Sequence, residues 1–198
     1  MNKIYFRYGT MFAGKSAMLI NAATTYEFNK SKVIVLKHAK DTRDNDVIRS
    51  RMCKDTLECI TFNDDDSLLE RVQYAIKLKN YVPDIIFIDE IQFCADHHID
   101  SLLEISKICP VICYGLKSSY TGELFPAIKK LLVMAEDIAE IKNVCSMCKS
   151  KATYNLLLRD GKPVYSGDAV NVEGENANEE YKAVCRKHYY APIIKGDN

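Results

Sequence analysis

The stretch IYFRYGTMFAGKS, residues 4–16, decides how this chain folds, because it joins a short apolar strand to a glycine-rich turn. The turn matches the pattern G-x-x-x-x-G-K-[ST] at every fixed position. Glycines let backbone N–H groups approach a phosphate closely, and the N-terminus of the helix that follows attracts the same negative charge. The stretch therefore predicts a phosphate-binding loop formed by Gly9, Thr10, Met11, Phe12, Ala13, Gly14, Lys15 and Ser16.

The alternative interpretation of this pattern is a chance glycine turn. The context argues against it, since a predicted strand precedes the turn and a predicted helix follows it. In such a loop the Lys15 ammonium group is expected to reach the β- and γ-phosphates of a nucleotide, and the Ser16 hydroxyl is expected to bind Mg²⁺.

Beyond the loop, apolar runs alternate with helical patterns as far as about residue 135. Strands are predicted at residues 4–8, 33–36, 85–88 and 111–114. Helices are predicted from residue 17, after Asp66 or Ser67, over residues 96–108 and from Pro126, and the charged residues 40–55 are predicted to form a loop. This alternation, together with the continuous apolar runs, predicts an α/β fold whose parallel sheet is buried on both faces, of the P-loop (RecA-like) kind.

Two acidic residues, Asp89 and Glu90, directly follow the strand predicted at residues 85–88. Ligands of α/β sheets gather beyond the carboxyl ends of the strands, so these side chains should lie beside the bound phosphates. One carboxylate can bind Mg²⁺ and the other can accept the proton of an attacking hydroxyl group, and the residues alone do not assign the two roles. Asp41 follows the second strand at the same edge and is a further candidate for Mg²⁺, as Arg43 is for phosphate. An ordinary charged loop is the alternative for both.

Four residues near the C-terminus form two closely spaced pairs, Cys145 with Cys148 and Cys185 with His188. Together the pairs fill the tetrahedral site that Zn²⁺ prefers and leave no position for water, so the spacing predicts a structural zinc site. The remaining cysteines, at positions 53, 59, 94, 109 and 113, have no such pairing and are predicted to be core residues. Adjacent His97 and His98 are predicted to point apart on the surface of a helix.

Composition narrows the function classes. The chain has 27 Lys and Arg against 27 Asp and Glu, and this zero formal net charge gives no support for a nucleic-acid partner. No stretch approaches the ~20 apolar residues that cross a bilayer, and the N-terminus lacks the features of a signal peptide, so a cytoplasmic protein without a membrane partner is expected. The cysteines cluster after residue 141, which predicts a nucleotide-binding domain over residues 1–141 and a zinc-binding domain over residues 142–198.

Several of these segments together resemble the type II thymidine kinases, a zinc-containing family. The resemblance spans nearly the whole chain. It is carried by the phosphate loop, by both metal pairs, and by KDTR at 40–43, FIDEIQF at 87–93, YGLKSSYTGELF at 114–125 and YKAVCRKH at 181–188. The segments D-E-x-Q-F and Y-G-L are specific to this family among phosphate-loop proteins.

The resemblance implies transfer of the γ-phosphate of ATP to the 5′-hydroxyl of thymidine, with deoxyuridine as an alternative acceptor, giving dTMP for nucleotide salvage. It implies that Glu90 is the general base, that Asp89 belongs to the magnesium shell, and that Gln92 lies with the phosphate site. A lasso over residues 161–181 is expected to close over the thymine base. The family is usually homotetrameric and is inhibited by dTTP. The residues expected around the nucleoside are Met11, Phe93, Leu116, Tyr120, Phe125, Val172 and Tyr181.

Two features depart from the family pattern. Thr10 stands where many members have proline, a change expected to be harmless. Residues 172–180 are longer and more acidic than the usual short glycine-rich segment, so the resemblance does not fix which of them contact thymine.

Two other functions fit parts of the sequence. A phosphate-loop GTPase would carry an [NT]-K-x-D motif for guanine, which this chain lacks, and a motor ATPase would be longer. A nucleic-acid-binding zinc module would carry basic and aromatic residues around the metal pairs, whereas the lasso segment at residues 173–180 is acidic.

Overall fold

The computed structural model describes residues 1–41, 46–52, 54–168 and 178–194, and of residues 192–194 it describes the backbone alone. The helices within these ranges are α1 (Lys15–Phe28), α2 (Leu68–Lys79), α3 (Asp96–Ile105), α4 (Pro126–Met134) and α5 (Arg186–Ile194). The strands of the first part of the chain are β1 (Ile4–Tyr8), β2 (Val33–His38), β3 (Val47–Arg49), β4 (Thr56–Glu58), β5 (Ile60–Phe62), β6 (Ile85–Asp89), β7 (Val111–Gly115) and β8 (Asp137–Glu140). The later strands are β9 (Asn143–Val144), β10 (Lys151–Ala152), β11 (Tyr154–Arg159), β12 (Lys162–Val164) and β13 (Glu179–Val184).

The main sheet of the described residues has the strand order β5-β2-β6-β7-β1-β8, and every pairing in it is parallel. Residues of α1 pack with Val35 and Phe87 on one face, while residues of α2, α3 and α4 pack with Leu36 and Ile88 on the other. Neighbouring residues along β2 and β6 thus enter two different cores, which is why their apolar runs are continuous. The predicted α/β fold with a buried parallel sheet is confirmed.

Helix boundaries follow local signals. The Ser67 side chain accepts a hydrogen bond from the Glu70 N–H (3.3 Å) at the start of α2, as predicted. Pro126 occupies the first turn of α4, also as predicted. The expected end of α3 at residue 108 is wrong, because the Ser106 hydroxyl donates to the Leu103 carbonyl and the chain leaves the helix in a tighter turn.

The charged segment 40–55 is not entirely a loop. Its part β3 pairs antiparallel with β4, and the resulting hairpin spans Val47–Glu58 in register. Each strand is only three residues long, with one inward apolar residue, Ile48 or Leu57, which is too short a pattern to predict a strand from the sequence.

His97 is exposed, as predicted, but the predictions that His98 is also on the surface and that the two side chains point apart are wrong. Both Nε2 atoms face the Asp66 carbonyl oxygen (3.2 and 2.8 Å), and the two ring centroids are 4.0 Å apart. His98 is fully buried because its Nδ1 accepts the Ala95 N–H at the start of α3, which folds the side chain back over the helix end. Of the cysteines expected in the core, Cys59, Cys94, Cys109 and Cys113 are buried, and Cys53 lies outside the described residues.

The small sheets follow the main one. Strand β11 lies between β12 and β13, and β9 pairs with β10, all antiparallel. The predicted domain boundary near residue 142 falls between Glu140, the last residue of the main sheet, and Asn143. Within the described ranges, none of the helices combines the length and the apolarity that crossing a membrane requires.

Candidate active site and metal centre

The phosphate loop connects β1 to α1 at the carboxyl edge of the main sheet. Gly14 has φ +81°, the left-handed conformation that glycine adopts without strain, and it caps the N-terminus of α1. At Gly9 a Cβ atom would lie 2.9 Å from the Ala13 Cβ and from the Ile141 carbonyl oxygen. Both fixed glycines of the motif are therefore needed, one for its backbone angle and one for close packing.

Lys15 lies within this loop, and its Nζ donates to the Thr10 carbonyl oxygen (3.0 Å). The β3–β4 hairpin approaches from the other side. The Arg51 guanidinium lies 5.3 Å from the Phe12 ring centroid, and a Cβ at Gly14 would meet the Met52 Sδ at 2.9 Å. The hairpin thus brings the positive charge of Arg51 to the phosphate loop.

The two acidic residues after β6 have different surroundings. Asp89 is 1% exposed, and its Oδ1 accepts the N–H of Glu90 (3.0 Å). Glu90 has φ +55°, and this uncommon backbone angle turns its side chain toward the pocket that it lines. Its Oε2 accepts a hydrogen bond from the Gln92 Nε2 (2.5 Å). The structure thus places Glu90 at the cavity wall and Asp89 beneath it.

Gln92, two residues after Glu90, holds the Glu90 carboxylate in place and is itself fixed against the end of β7. Its Oε1 accepts the Leu116 N–H (3.0 Å), so both ends of the amide are used. Any side chain at Gly115 would meet this oxygen, because a Cβ there would lie 2.6 Å from it. Gly115 therefore fits the site by providing room for the buried amide.

Burial raises the pKa of the Asp89 carboxyl to about 7, and the neighbouring Glu90 charge adds to the effect, while Lys15 opposes it. The pKa in the unfolded chain is near 3.8. At a pH between these two pKa values, Asp89 is ionised in the unfolded chain but keeps its proton in the folded protein. The free energy of unfolding therefore falls as the pH rises from about 4 to about 7.

We therefore expect Asp89→Asn to stabilise the protein, with a gain that is small near pH 4 and largest above pH 7. The amide oxygen of the variant can still accept the Glu90 N–H, while no carboxylate remains to be buried. Thermal unfolding of both proteins across this pH range measures the gain. A variant that is less stable than the wild type at pH 8 would contradict it.

Thirteen of the predicted site residues line one cavity at the carboxyl edge of the sheet. They are Met11, Phe12, Gly14, Lys15, Ser16, Asp41, Glu90, Gln92, Phe93, Leu116, Tyr120, Phe125 and Tyr181. Tyr120 and Tyr181 form an edge-to-face pair with centroids 6.3 Å apart, and Phe93 faces Phe125 at 6.5 Å. These rings enclose an apolar space next to Glu90.

The other predicted residues lie around this cavity or outside the described part. Gly9, Thr10 and Ala13 belong to the loop behind the wall, and Asp89 lies below Glu90. The Asp41 carboxylate is 3.8 Å from the Nζ of Lys37, a lysine that is 1% exposed. Val172 and Arg43 lie outside the described residues.

Sequence reasoning missed several residues of the cavity wall: Lys40, Arg49, Ser50, Arg51, Met52, Ser119 and Asn155. Four of them belong to the hairpin region that was expected to be loop, and Lys40 and Ser119 lie inside quoted family segments. Asn155 carries no motif and reaches the cavity from a strand of the small sheets.

The predicted metal ligands come together in space. Cys145, Cys148, Cys185 and His188 each offer one ligand atom, and these atoms all lie within 4.8 Å of one another. His188 Nδ1 is 3.4 Å from the Sγ atoms of both Cys145 and Cys185. Three thiols and one imidazole form a donor set that can hold a metal ion such as Zn²⁺.

Backbone N–H groups stabilise negative charge on the thiols of Cys145 and Cys148. Met147 N–H donates to the Cys145 Sγ (3.4 Å) and Ser150 N–H to the Cys148 Sγ (3.5 Å). Burial raises the pKa of Cys145, but backbone N–H groups and His188 outweigh it and bring the pKa to about 6. The thiolate of Cys145, the form that metals bind, is thus favoured near neutral pH. At Cys185 the His188 N–H lowers the pKa, but burial and the neighbouring thiols of Cys148 and Cys145 outweigh it, so that this pKa is raised.

One tyrosine connects this cluster to the cavity. Tyr189 directly follows His188, is 2% exposed, and stacks on Tyr154 with centroids 4.5 Å apart. Its hydroxyl donates to the backbone carbonyl of Tyr120 (2.7 Å), a residue of the cavity wall. Tyr189 therefore joins the residue after a metal ligand to the cavity wall by a direct hydrogen bond.

Comparisons with known proteins agree with this arrangement. A family model described as thymidine kinase matches residues 2–189. The thymidine kinase of Streptococcus gordonii is 37% identical over 196 residues, which cover 98% of this chain and 99% of that protein. The thymidine kinases of Streptococcus agalactiae and Streptococcus pyogenes are each 36% identical over 98% of this chain and 100% of their own length. A solved structure, flagellar accessory protein FlaH of Methanocaldococcus jannaschii, aligns over 90% of this chain and 84% of its own, with a TM-score of 0.45 and 10% identity, values too low to support an inference.

Proposed function

This chain belongs to the thymidine kinase family, and we propose that it transfers the γ-phosphate of ATP to the 5′-hydroxyl of thymidine, giving dTMP. The coarser activity, phosphorylation of thymidine by a kinase, follows from the family itself. The finer assignment of donor, acceptor atom and residue roles is supported by the cavity.

One observation carries the proposal: the phosphate loop, a carboxylate and a ring-lined apolar space meet in a single cavity. Lys15 and Ser16 of the phosphate loop line this cavity. The Glu90 carboxylate and the rings of Tyr120, Tyr181 and Phe125 line it too. A nucleoside whose base lies among the rings would present its sugar hydroxyl toward the loop.

In the proposed reaction Glu90 accepts the proton of the 5′-hydroxyl as its oxygen attacks the γ-phosphorus. The bond from that phosphorus to the β–γ bridging oxygen breaks, and ADP leaves with the bridging oxygen. Gln92 orients the accepting carboxylate through its hydrogen bond to Oε2. Lys15 and the backbone N–H groups of the loop would hold the phosphate oxygens in line.

Two cations complete the proposal. Ser16, Asp89 and Asp41 would hold Mg²⁺ with ATP, and this ion would neutralise charge on the phosphates. Cys145, Cys148, Cys185 and His188 fit a structural Zn²⁺, since all four ligand positions come from protein.

The residues at 161–181 would close over the base and exclude water, and Val172 would contact the nucleoside.

The experiment is radiolabelled γ-phosphate transfer from ATP to a panel of thymidine, deoxyuridine, deoxycytidine, deoxyadenosine and deoxyguanosine. We expect labelled monophosphate with thymidine, a weaker or similar signal with deoxyuridine, and little with the others. A protein that labels none of the five, or labels a purine deoxynucleoside best, would refute the proposed function.

Regulation and assembly belong to the same proposal. The family resemblance implies inhibition by dTTP, which carries the base of the acceptor and the triphosphate of the donor in one molecule and could occupy both ends of the cavity. It also implies a homotetramer. Adding dTTP to the transfer assay and measuring the mass of the particle by light scattering test these two points.

A further inference from the structure

Asn155 lies where three parts of the molecule meet. It belongs to β11, the central strand of the three-stranded sheet, and is only 3% exposed. Its side chain nevertheless lines the cavity that contains Lys15 and Glu90. A polar side chain that is this deeply buried must satisfy its hydrogen bonds within the protein.

Both ends of the Asn155 amide are used, and each reaches a different segment. Its Oδ1 accepts the N–H of Met11 in the phosphate loop (2.8 Å), and its Nδ2 donates to the carbonyl of Ser118 (3.0 Å). The orientation of the amide is unambiguous, because a backbone N–H can only donate and a carbonyl can only accept. A single side chain thus ties together segments that are 144 and 37 residues away from it.

One of these segments would bind the phosphate donor, and the other would bind the nucleoside acceptor. Met11 is part of the loop that would hold ATP. Asn143 fixes the same loop from behind, since its Nδ2 donates to the Thr10 hydroxyl and to the Met11 carbonyl (3.0 Å each). Ser118 begins a turn that presents Tyr120 to the cavity, and this turn is closed by a Ser119 N–H to Glu123 carbonyl bond (2.9 Å). The distance between the two segments sets the distance between phosphate donor and acceptor.

We propose that Asn155 is a positioning residue for phosphoryl transfer, which holds the phosphate loop and the nucleoside-binding turn at the separation that the reaction requires. This inference rests on the proposed function. Reacting atoms must approach to ~3–3.5 Å, and a misplacement of ~1 Å can cost ~10²-fold in rate. Asn155 touches the two binding segments rather than the reacting atoms, so its loss should impair turnover more than binding.

The test compares Asn155→Leu, which removes both hydrogen bonds at nearly constant volume, with Asn155→Asp, which keeps the acceptor for Met11 N–H but faces the Ser118 carbonyl with a second oxygen. The control is Ile105→Val, which removes one buried methyl group from the main core on α3 without touching either bond or the cluster around the metal ligands. For each protein, ADP and deoxynucleoside monophosphate are measured in the same reaction, along with ATP affinity and the unfolding temperature.

We expect both Asn155 variants to lose ~10- to 100-fold in kcat, with an ATP affinity within a few-fold of the wild type. We also expect the ratio of ADP to monophosphate to rise above one, because a loosely placed acceptor lets water receive the phosphate. Ile105→Val should lower the unfolding temperature and leave the ratio at one. If Asn155→Leu does not fold, Asn155→Asp carries the test.

Two results would overturn the inference. One is a wild-type kcat in the variants. The other is a kcat that falls only with the folded fraction while the product ratio stays at one, which would show that Asn155 stabilises the fold and nothing more. Failure of the proposed function is a different result, because the wild-type protein would then form no labelled monophosphate at all.

Discussion

Glu90→Gln should bind ATP normally and turn over ~10²–10⁴-fold more slowly than the wild type, the usual contribution of a general base. The variant is nearly isosteric, and its amide oxygen can still accept the hydrogen bond from Gln92 that Glu90 Oε2 now receives. What it cannot do is take a proton from the sugar hydroxyl. The effect should therefore appear in kcat and leave the affinity for ATP and thymidine close to that of the wild type.

The matched control for this variant is Glu104→Gln. Glu104 pairs with Lys107 on the exposed side of the molecule, three residues apart and outside the cavity. The control should turn over at the wild-type rate. Turnover of Glu90→Gln within about tenfold of the wild type would remove Glu90 from the role of base and direct attention to Asp89, the other carboxylate of the pair.

The assignment of roles to Asp89 and Glu90 shows what the sequence left open. Both follow a buried strand, and either could have been the base. The left-handed backbone of Glu90, with φ +55°, turns its side chain toward the cavity, while Asp89 stays 1% exposed beneath it. The backbone angle of Glu90, its contact with Gln92 and the burial of Asp89 are all features that residue types alone do not reveal.

Regular patterns predicted the fold well. The central strands were visible because both their faces are buried and their apolar runs are continuous. The starts of α2 and α4 were visible because Ser67 and Pro126 act locally. The metal ligands were visible because each pair lies within one short turn, and the two pairs then meet in space.

The residues that sequence reasoning missed act across long separations. Asn155 contacts Met11 and Ser118, and no short-range pattern marks such a contact. The β3–β4 hairpin is anchored by Ile48 and Leu57, which lie opposite each other and pack into the core beside α1, but strands of three residues are too short to show this in the sequence. His98 is buried because a helix start and the Asp66 carbonyl use its ring nitrogens, a tertiary effect that composition does not encode.

These long-range contacts also suggest how the two parts of the chain work together. The phosphate loop lies in the first part, but Asn143 and Asn155 from the second hold the backbone of Met11. The Tyr120 turn likewise lies in the first part, but Tyr189 beside the metal cluster holds its carbonyl. Both halves of the cavity thus depend on the second part, so disrupting the metal cluster should affect catalysis at a distance.

Cys145→Ser is therefore expected to lose the bound metal, and with it the geometry of the nucleoside pocket. Structural Zn²⁺ sites contribute ~10–16 kcal/mol of apparent binding energy in small zinc-dependent domains, so losing one thiolate should also lower the unfolding temperature clearly. Without the cluster, α5 and Tyr189 are no longer fixed, and the contact to Tyr120 loosens. We expect kcat/KM for thymidine to fall by ~10²-fold and the affinity for ATP to fall less.

Three measurements decide this prediction: metal content by atomic absorption, the unfolding temperature, and the steady-state constants for thymidine and ATP. Cys109→Ala is the matched control, since Cys109 is a buried cysteine of the main core and not a member of the cluster. The control should keep about one metal ion per chain, the number that one four-ligand cluster holds. Unchanged metal content in Cys145→Ser would contradict the metal site itself. A variant that loses its metal but keeps the wild-type kcat/KM for thymidine would contradict the proposed effect on the cavity. The cluster would then stabilise its own sheet, and the contact of Tyr189, next to His188, with Tyr120 would not affect nucleoside binding.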